Sequence, residues 1–290
     1  MSLVRPARAT EDRIYDTVAD RSAAVVISGY STSFGLASRL LTEPVRTHVR
    51  NLYALVRIAD EIVDNPDRAF STHDRAALLD GLQEEAIRAM GSGRSSNLVV
   101  HAFATTARAT GIGADLVDPF FASMRTDLQV QAHDTSSLER YVYGSAEVVG
   151  LMCLRIFLAC EGRAGEYDDL ADGARRLGAA FQKINFLRDL AEDHAVLGRR
   201  YFPGLAIESF SDLHRDAILD DVAVDLRVAR AAIPRLPRSS RRAVRAAQLL
   251  FEELAVRLRA TPAARIAQER VSVPGPVKAR LLARALVGGR

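Results

Sequence analysis

Gln182-Lys183-Ile184-Asn185-Phe186-Leu187-Arg188-Asp189-Leu190-Ala191-Glu192-Asp193 decides how the rest of the chain is read. The run contains neither Gly nor Pro and is made largely of helix-compatible residues. On a helix, Gln182, Asn185, Asp189 and Asp193, spaced three, four and four, form one polar stripe along about three turns. Ala180, Phe181, Ile184, Phe186, Leu187 and Leu190 occupy much of the remaining circumference. A helix so apolar is buried, so its polar stripe must face a polar cavity rather than bulk water. Two amides and two carboxylates are hard oxygen donors, a set that suits Mg²⁺ shared with phosphate oxygens. Arg188, beside Asp189, has the fork geometry to take a phosphate. A buried salt-bridge network that fixes helix register is the competing reading, and the aligned amides do not suit it.

Upstream, Arg57-Ile58-Ala59-Asp60-Glu61-Ile62-Val63-Asp64 again places two aspartates four apart. Three acids, Asp60, Glu61 and Asp64, fall in the last turn of the helix, where the macrodipole opposes them by about 0.3–1 kcal/mol each when exposed. A bound cation would offset that. A solvated acidic helix end would look the same, and only the pairing with the second run favours function.

Outward from these runs, helical periodicity dominates, with no alternating strand pattern bounded by hairpin dipeptides. Thr42-Glu43-Pro44 reads as an N-cap with Pro near the first turn of a helix reaching Asn65-Pro66. A second helix starts at Ser71 or Thr72 and runs to about Met90, closed by Gly91. Others are expected at about 97–110, 114–128, 137–161, 166–196, 211–232, 238–260 and 276–287, with a cap near Ser136 or Ser137. The fold class is therefore all-α, with about nine or ten helices in a single domain spanning 1–290. No fixed-period repeat is visible.

Composition sets outer bounds. The chain has 290 residues, 48% hydrophobic and 26% charged, enough for a sizeable core. The net charge of +3 is carried almost wholly by Arg, with Lys183 and Lys278 the only lysines, and argues against a nucleic-acid partner. Cys153 and Cys160 show neither a disulfide framework nor zinc spacing, which suits a reducing cytoplasm. The N-terminal residues lack a signal-peptide apolar region, and no uninterrupted apolar run approaches the ~18 residues needed to span a bilayer. A cytoplasmic protein, soluble or peripherally membrane-associated, is expected.

Further polar groups gather around the two runs. Tyr30-Ser31-Thr32-Ser33-Phe34 offers hydroxyls at a helix start, suited either to a diphosphate or to plain N-capping. Gly198-Arg199-Arg200-Tyr201-Phe202-Pro203 leaves the second acidic helix and brings Arg199 and Tyr201 to the cleft mouth. Tyr141 and Tyr143 read as core residues, and the six histidines form no metal-spaced pair. A phosphate-binding Gly-Lys-Ser/Thr loop, a full Gly-x-Gly-x-x-Gly and His-Glu-x-x-His are all missing.

Together these residues closely resemble the squalene/phytoene synthase family. Tyr53-Ala54-Leu55-Val56-Arg57 through Asp64 is similar to its first aspartate-rich motif, and Gln182–Asp193 with Gly198–Pro203 to its second. Ser31–Phe34 matches its N-terminal serine motif and Tyr141–Gly150 its central segment, over a core of about residues 28–260. Glu61 stands where the family usually has aspartate, and Glu147 where many members have glycine. The resemblance implies an isoprenoid (terpenoid) synthase helical bundle with a central cleft, and head-to-head condensation of two geranylgeranyl diphosphates to phytoene. It implies Asp60, Asp64, Asp189 and Asp193 as catalytic, and Mg²⁺ (or Mn²⁺) on Asp60, Glu61, Asp64, Asn185, Asp189 and Asp193. The prenyl diphosphates would meet Tyr30, Ser31, Thr32, Ser33, Tyr53 and Arg57 on one side. Tyr141, Gln182, Arg188, Arg199 and Tyr201 would meet them on the other. No NAD(P)H is expected for phytoene formation. The small Gly35, Ala37 and Ser38 leave room for a C20 chain. Farnesyl diphosphate as substrate, giving squalene, dehydrosqualene or presqualene diphosphate, is the nearest alternative. A single-substrate terpene cyclase is more distant, and a non-catalytic scaffold relative would show eroded aspartates. The basic segment at about 276–287, with Lys278, Arg280 and Arg284, would lie at an anionic membrane surface or pack on the core.

Overall fold

Apolar stripes at helical spacing, interrupted at Gly, Pro and Asn, fold into helices joined end to end. The structure, a computed structural model, describes residues 6–30, 33–65, 70–130, 132–194 and 199–287. In chain order the helices begin with α1 (Pro6–Tyr30), α2 (Ser33–Ser38), α3 (Val45–Val63), α4 (Thr72–Ser92), α5 (Leu98–Thr110) and α6 (Ala114–Gln129). They continue with α7 (Thr135–Val142), a π-turn (Tyr143–Glu147), α8 (Val148–Ala159), α9 (Tyr167–Arg188) and α10 (Leu190–Glu192). The last are α11 (Asp212–Ala232), α12 (Arg238–Ala260), α13 (Ala263–Ile266) and α14 (Gly275–Val287). Among the described residues the sole β pairing is an isolated bridge between Ala132 and Arg200, so the all-α expectation holds.

Several boundaries differ from the sequence reading, each for a local reason. α1 was not anticipated. Its buried seam includes Ala19 and Ala23, packed on Ala54 of α3 and Val99 and Ala102 of α5, and Ile27 is buried as well, while Ile14, Val18 and Val25 point to solvent. Alanines at every fourth position carry little hydrophobic signal. α3 starts at Val45, and the Glu43 carboxylate, not Thr42, accepts from the Thr47 N–H at 3.1 Å. α4 continues to Ser92 and is closed by Gly93 at φ 81°, two residues beyond Gly91. α7 begins at Thr135 because Asp134 caps it: its carboxylate accepts from Ser137 N–H at 2.7 Å, and Ser137 Oγ accepts from Asp134 N–H at 2.9 Å.

The expected helix at 166–196 breaks at Asp189, which leaves helical geometry at φ −100° and ψ 7°. The segment Thr135–Ala159 is long and apolar enough to cross a membrane by length and composition, yet 56% of its most apolar window is buried inside the fold. It is the central helical run of the bundle, with α6 on one side and α9 on the other.

Two contacts bring the π-turn and α8 to backbone distance from α9. A Cβ added to Gly150 would lie 2.5 Å from the Ala174 carbonyl oxygen, and one on Gly178 would lie 2.5 Å from that of Ala146. Glycine is required at both for steric reasons. On its opposite side α9 is held to α11 by charge: the fully buried Asp225 accepts from Arg176 at 3.0 Å and from Lys183 at 2.8 Å. The main core, which includes Phe103, Phe120 and Phe121, fills the space between α3, α4, α5, α6 and α8. Each such aromatic side chain contributes about 1.5–3 kcal/mol by burial.

Candidate active site

Three helices deliver their C-terminal ends to one place. α3 carries Asp60 in its last turn and Asp64 as its cap residue; α6 carries Asp127 in its last turn; α9 is followed by Asp189. Asp64, at φ −95° and ψ 3°, has nearly the same backbone conformation as Asp189. Each helix C-terminus adds a partial negative charge of about 0.5 e to the carboxylates already there. All four of these residues, with Gln182, Asn185 and Asp193, line a single cavity of about 460 Å³. Its far part is apolar, walled by Val49, Leu154, Phe157, Leu170, Leu236 and Ala243, among others.

The carboxylates repel one another. Burial, then Asp64, pushes the Asp60 carboxyl up to about 8. Burial and the neighbouring Asp189 hold Asp193 at about 7, and Asp64 on the facing wall adds to this. Burial raises Asp127 to about 7, although Arg199 and a 2.8 Å hydrogen bond from the Tyr141 hydroxyl pull it down. Arg199 is the internal counter-charge. It donates to Asp64 Oδ1 at 2.7 Å and lies 3.7 Å from Asp127 Oδ1. Burial disfavours its charge, but Asp127, Tyr201 and Asp64 outweigh burial and raise its pKa. Behind it, Phe186 and Tyr201 stack at 4.0 Å between ring centroids, with Tyr141 5.6 Å from Tyr201.

The structure thus brings together Asp60, Asp64, Tyr141, Gln182, Asn185, Arg188, Asp189, Asp193, Arg199 and Tyr201 at one end of the cavity. It does not bring Glu61 there. Glu61 accepts from Arg57, whose guanidinium sits 4.5 Å over the Tyr30 ring, and none of the three lines the cavity. Tyr53 lies on α3 beside Arg57, also outside the lining. Ser31 and Thr32 lie outside the described residues, and Ser33 opens α2. Two participants were missed. Asp127 is a lone acid with no motif around it; its signal is the same acid-at-a-helix-C-terminus violation seen at Asp60 and Asp64. Arg270, 2.8 Å from Asp189 Oδ1, comes from the segment after α13 and had no signal in the sequence.

The donor chemistry fits an oxygen-seeking divalent cation. Asn185 Oδ1 is buried and accepts no hydrogen bond, an orphan oxygen in the cavity wall. Among the described residues, no three His, Cys, Asp or Glu side chains converge on one point. The donors are divided between α3 and α9, which suits an ion that completes its shell with water and phosphate oxygens. Asp60, Asp127 and Asp193 all have raised folded pKa values, so the metal-free fold holds protons that the unfolded chain has lost. Its stability is therefore expected to fall as pH rises from about 4 to about 8, the window between the unfolded and folded values. Adding Mg²⁺ in weak buffer at about pH 6.5 should release protons, and the release should vanish above about pH 9. A pH-stat titration checks both the sign and the window.

Comparison with known proteins follows the same lines. The sequence profile described as "Squalene/phytoene synthase" matches residues 27–276. The 15-cis-phytoene synthase of Enterobacter agglomerans is 30% identical over 277 residues, covering 88% of this chain and 90% of that protein. The phytoene synthase of Pseudescherichia vulneris is 27% identical over 271 residues, covering 83% and 82%. A crystallised dehydrosqualene synthase in complex with ligand shares the fold, with a TM-score of 0.80 at 20% identity over 94% of this chain and 96% of its own.

Proposed function

The chain belongs to the squalene/phytoene synthase family of prenyltransferase-type enzymes, and from that premise we propose that it condenses two geranylgeranyl diphosphates to phytoene through a cyclopropylcarbinyl diphosphate. The observation that carries this reading is the division of one cavity into a carboxylate- and arginine-lined mouth and a long apolar shaft. A prenyl diphosphate is divided in the same way.

Asp60, Asp64, Asn185, Asp189 and Asp193 would hold Mg²⁺ or Mn²⁺, which when bound supplies Lewis-acid neutralisation of the departing diphosphate. Arg188 and Arg199 lie at the same mouth and share the remaining charge through bidentate contacts. Arg188 is held on Asp189 in the resting site, with Nε donating to Oδ1 at 2.9 Å. The apolar walls of α3, α8 and α9 keep water from the allylic cation that remains. Ala37 and Ser38 of α2, with Ala243 and Ala247 of α12, keep side-chain bulk out of the shaft and favour a C20 substrate. Phe157 of α8, a bulky side chain in the same lining, favours the shorter C15 substrate as a second reading.

Incubating the full chain and Mg²⁺ with C15 and C20 diphosphates, separately and mixed, separates the two. The expected product is a hydrocarbon of two C20 units, formed without a reduced nicotinamide. Product made only from C15 units overturns the chain length while leaving the reaction class, and a product from one diphosphate alone overturns the reaction class.

A further inference from the structure

Ser145 lies in the π-turn between α7 and α8, and its Oγ is buried without a hydrogen-bond partner. A helical serine ordinarily donates to the carbonyl four residues back. Here that carbonyl, on Tyr141, already accepts from Ser123 Oγ at 3.1 Å. The π-turn also takes the backbone out of α-helical register, a local distortion common at functional sites.

Neighbours on both sides fix the direction of the side chain. Gly144 is pressed against Pro119 and Ser123 of α6 too closely to admit a Cβ. The Ala146 carbonyl rests on Gly178 of α9, and Glu147 accepts from Arg175 Nε at 2.7 Å. Ser145, between them, lines the cavity. Tyr141 lies level with Phe186, at 6.0 Å between centroids, and Ala146 lies level with Gly178. Ser145, one residue before Ala146, therefore stands within about one helical turn of Gln182, near where the polar mouth gives way to the shaft. The other serine in the cavity lining, Ser38 of α2, donates to the Gly35 carbonyl at 2.8 Å.

We infer that Ser145 is a product-determining residue whose hydroxyl oxygen faces the reacting allylic carbons and stabilises the cation formed when the cyclopropylcarbinyl diphosphate ionises. This rests on the functional reading above. With no acceptor to fix its proton, the hydroxyl is free to rotate and present its lone pairs to positive charge. In a dry cavity such a dipole acts at higher strength than in water. Alanine or valine would suit the surrounding walls better, because an unpaired buried hydroxyl costs stability. The hydroxyl is thus retained against the folding interest of the site.

The test is the product partition of Ser145→Ala, Ser145→Val and Ser145→Thr, measured with labelled C20 diphosphate and Mg²⁺. Alanine and valine are expected to slow hydrocarbon formation by about tenfold at unchanged KM and to accumulate the cyclopropylcarbinyl diphosphate. Threonine should restore the hydrocarbon, and the Tm of Ser145→Ala should not fall. An active wild type whose Ser145→Ala variant gives the same products at the same rate overturns the role of Ser145 alone. A wild type that makes no condensation product overturns the functional reading and this inference with it.

Discussion

Asp189→Ala is expected to lower turnover by at least about 10³-fold while leaving the fold intact. Asp189 lines the cavity, caps the C-terminus of α9 and stands next to Arg188 and Arg270. Removing it takes away one oxygen donor and frees two guanidinium groups that water reaches. Neither arginine becomes a buried unpaired charge, so the stability change should stay within about 1 kcal/mol. Product formation by mass spectrometry, alongside far-UV circular dichroism and a thermal melt, reads both quantities. Turnover retained within about tenfold would remove Asp189 from the chemistry and revive a scaffold role for the protein.

Arg199→Met is expected to act on the fold itself. The Arg199 side chain is 9% exposed and its partner Asp127 5%, so the variant strands a carboxylate in the interior. Breaking one side of such a pair costs about 3–5 kcal/mol. The sign of the pH dependence follows from Asp127, which burial already raises to about 7 and Arg199 partly lowers. Without Arg199 its folded pKa rises further, so the variant is least destabilised where Asp127 is protonated. Relative to wild type, urea unfolding should show a loss that grows as pH rises through and beyond about 7, where Asp127 ionises in the wild-type fold. Adding Asp127→Asn should return much of the stability without restoring activity, since Arg199 also meets Asp64. A loss independent of pH would mean that packing, not charge, explains it.

The helical class and the two acid runs were legible because each writes its signal within a few residues. Gln182 and Asn185 on α9 and Asp189 at its end share one cavity lining in keeping with their spacing, and Asp193 joins that lining although the helix breaks at Asp189. What the sequence hid was set by contacts across the bundle. The break at Asp189 lies in a stretch whose composition would carry a helix onward. Arg188 and Arg270 both hold the Asp189 side chain at that point, one from the same helix and one from about eighty residues downstream. Glu61 looked like a donor because it sits among donors, yet its side chain turns to Arg57, one turn earlier on the same helix. α1 was silent because alanine packs two helices closely while contributing little hydrophobic contrast. Asp127 draws its meaning from the place where α6 ends, beside the C-terminus of α3 in the same cavity lining.

The glycine contacts between α8 and α9 carry a consequence for how product length can evolve. Main-chain atoms meet at Gly150 and Gly178, so no choice of side chain can pull these two walls apart or press them together. The breadth of the cavity there is a property of the fold, shared by every sequence that keeps those glycines. On the proposed function its reach would be set instead by lining side chains such as Ser38, Phe157 and Ala247. A mutant library selected for longer or shorter hydrocarbons should therefore accumulate its changes at such positions and leave the α8–α9 seam untouched.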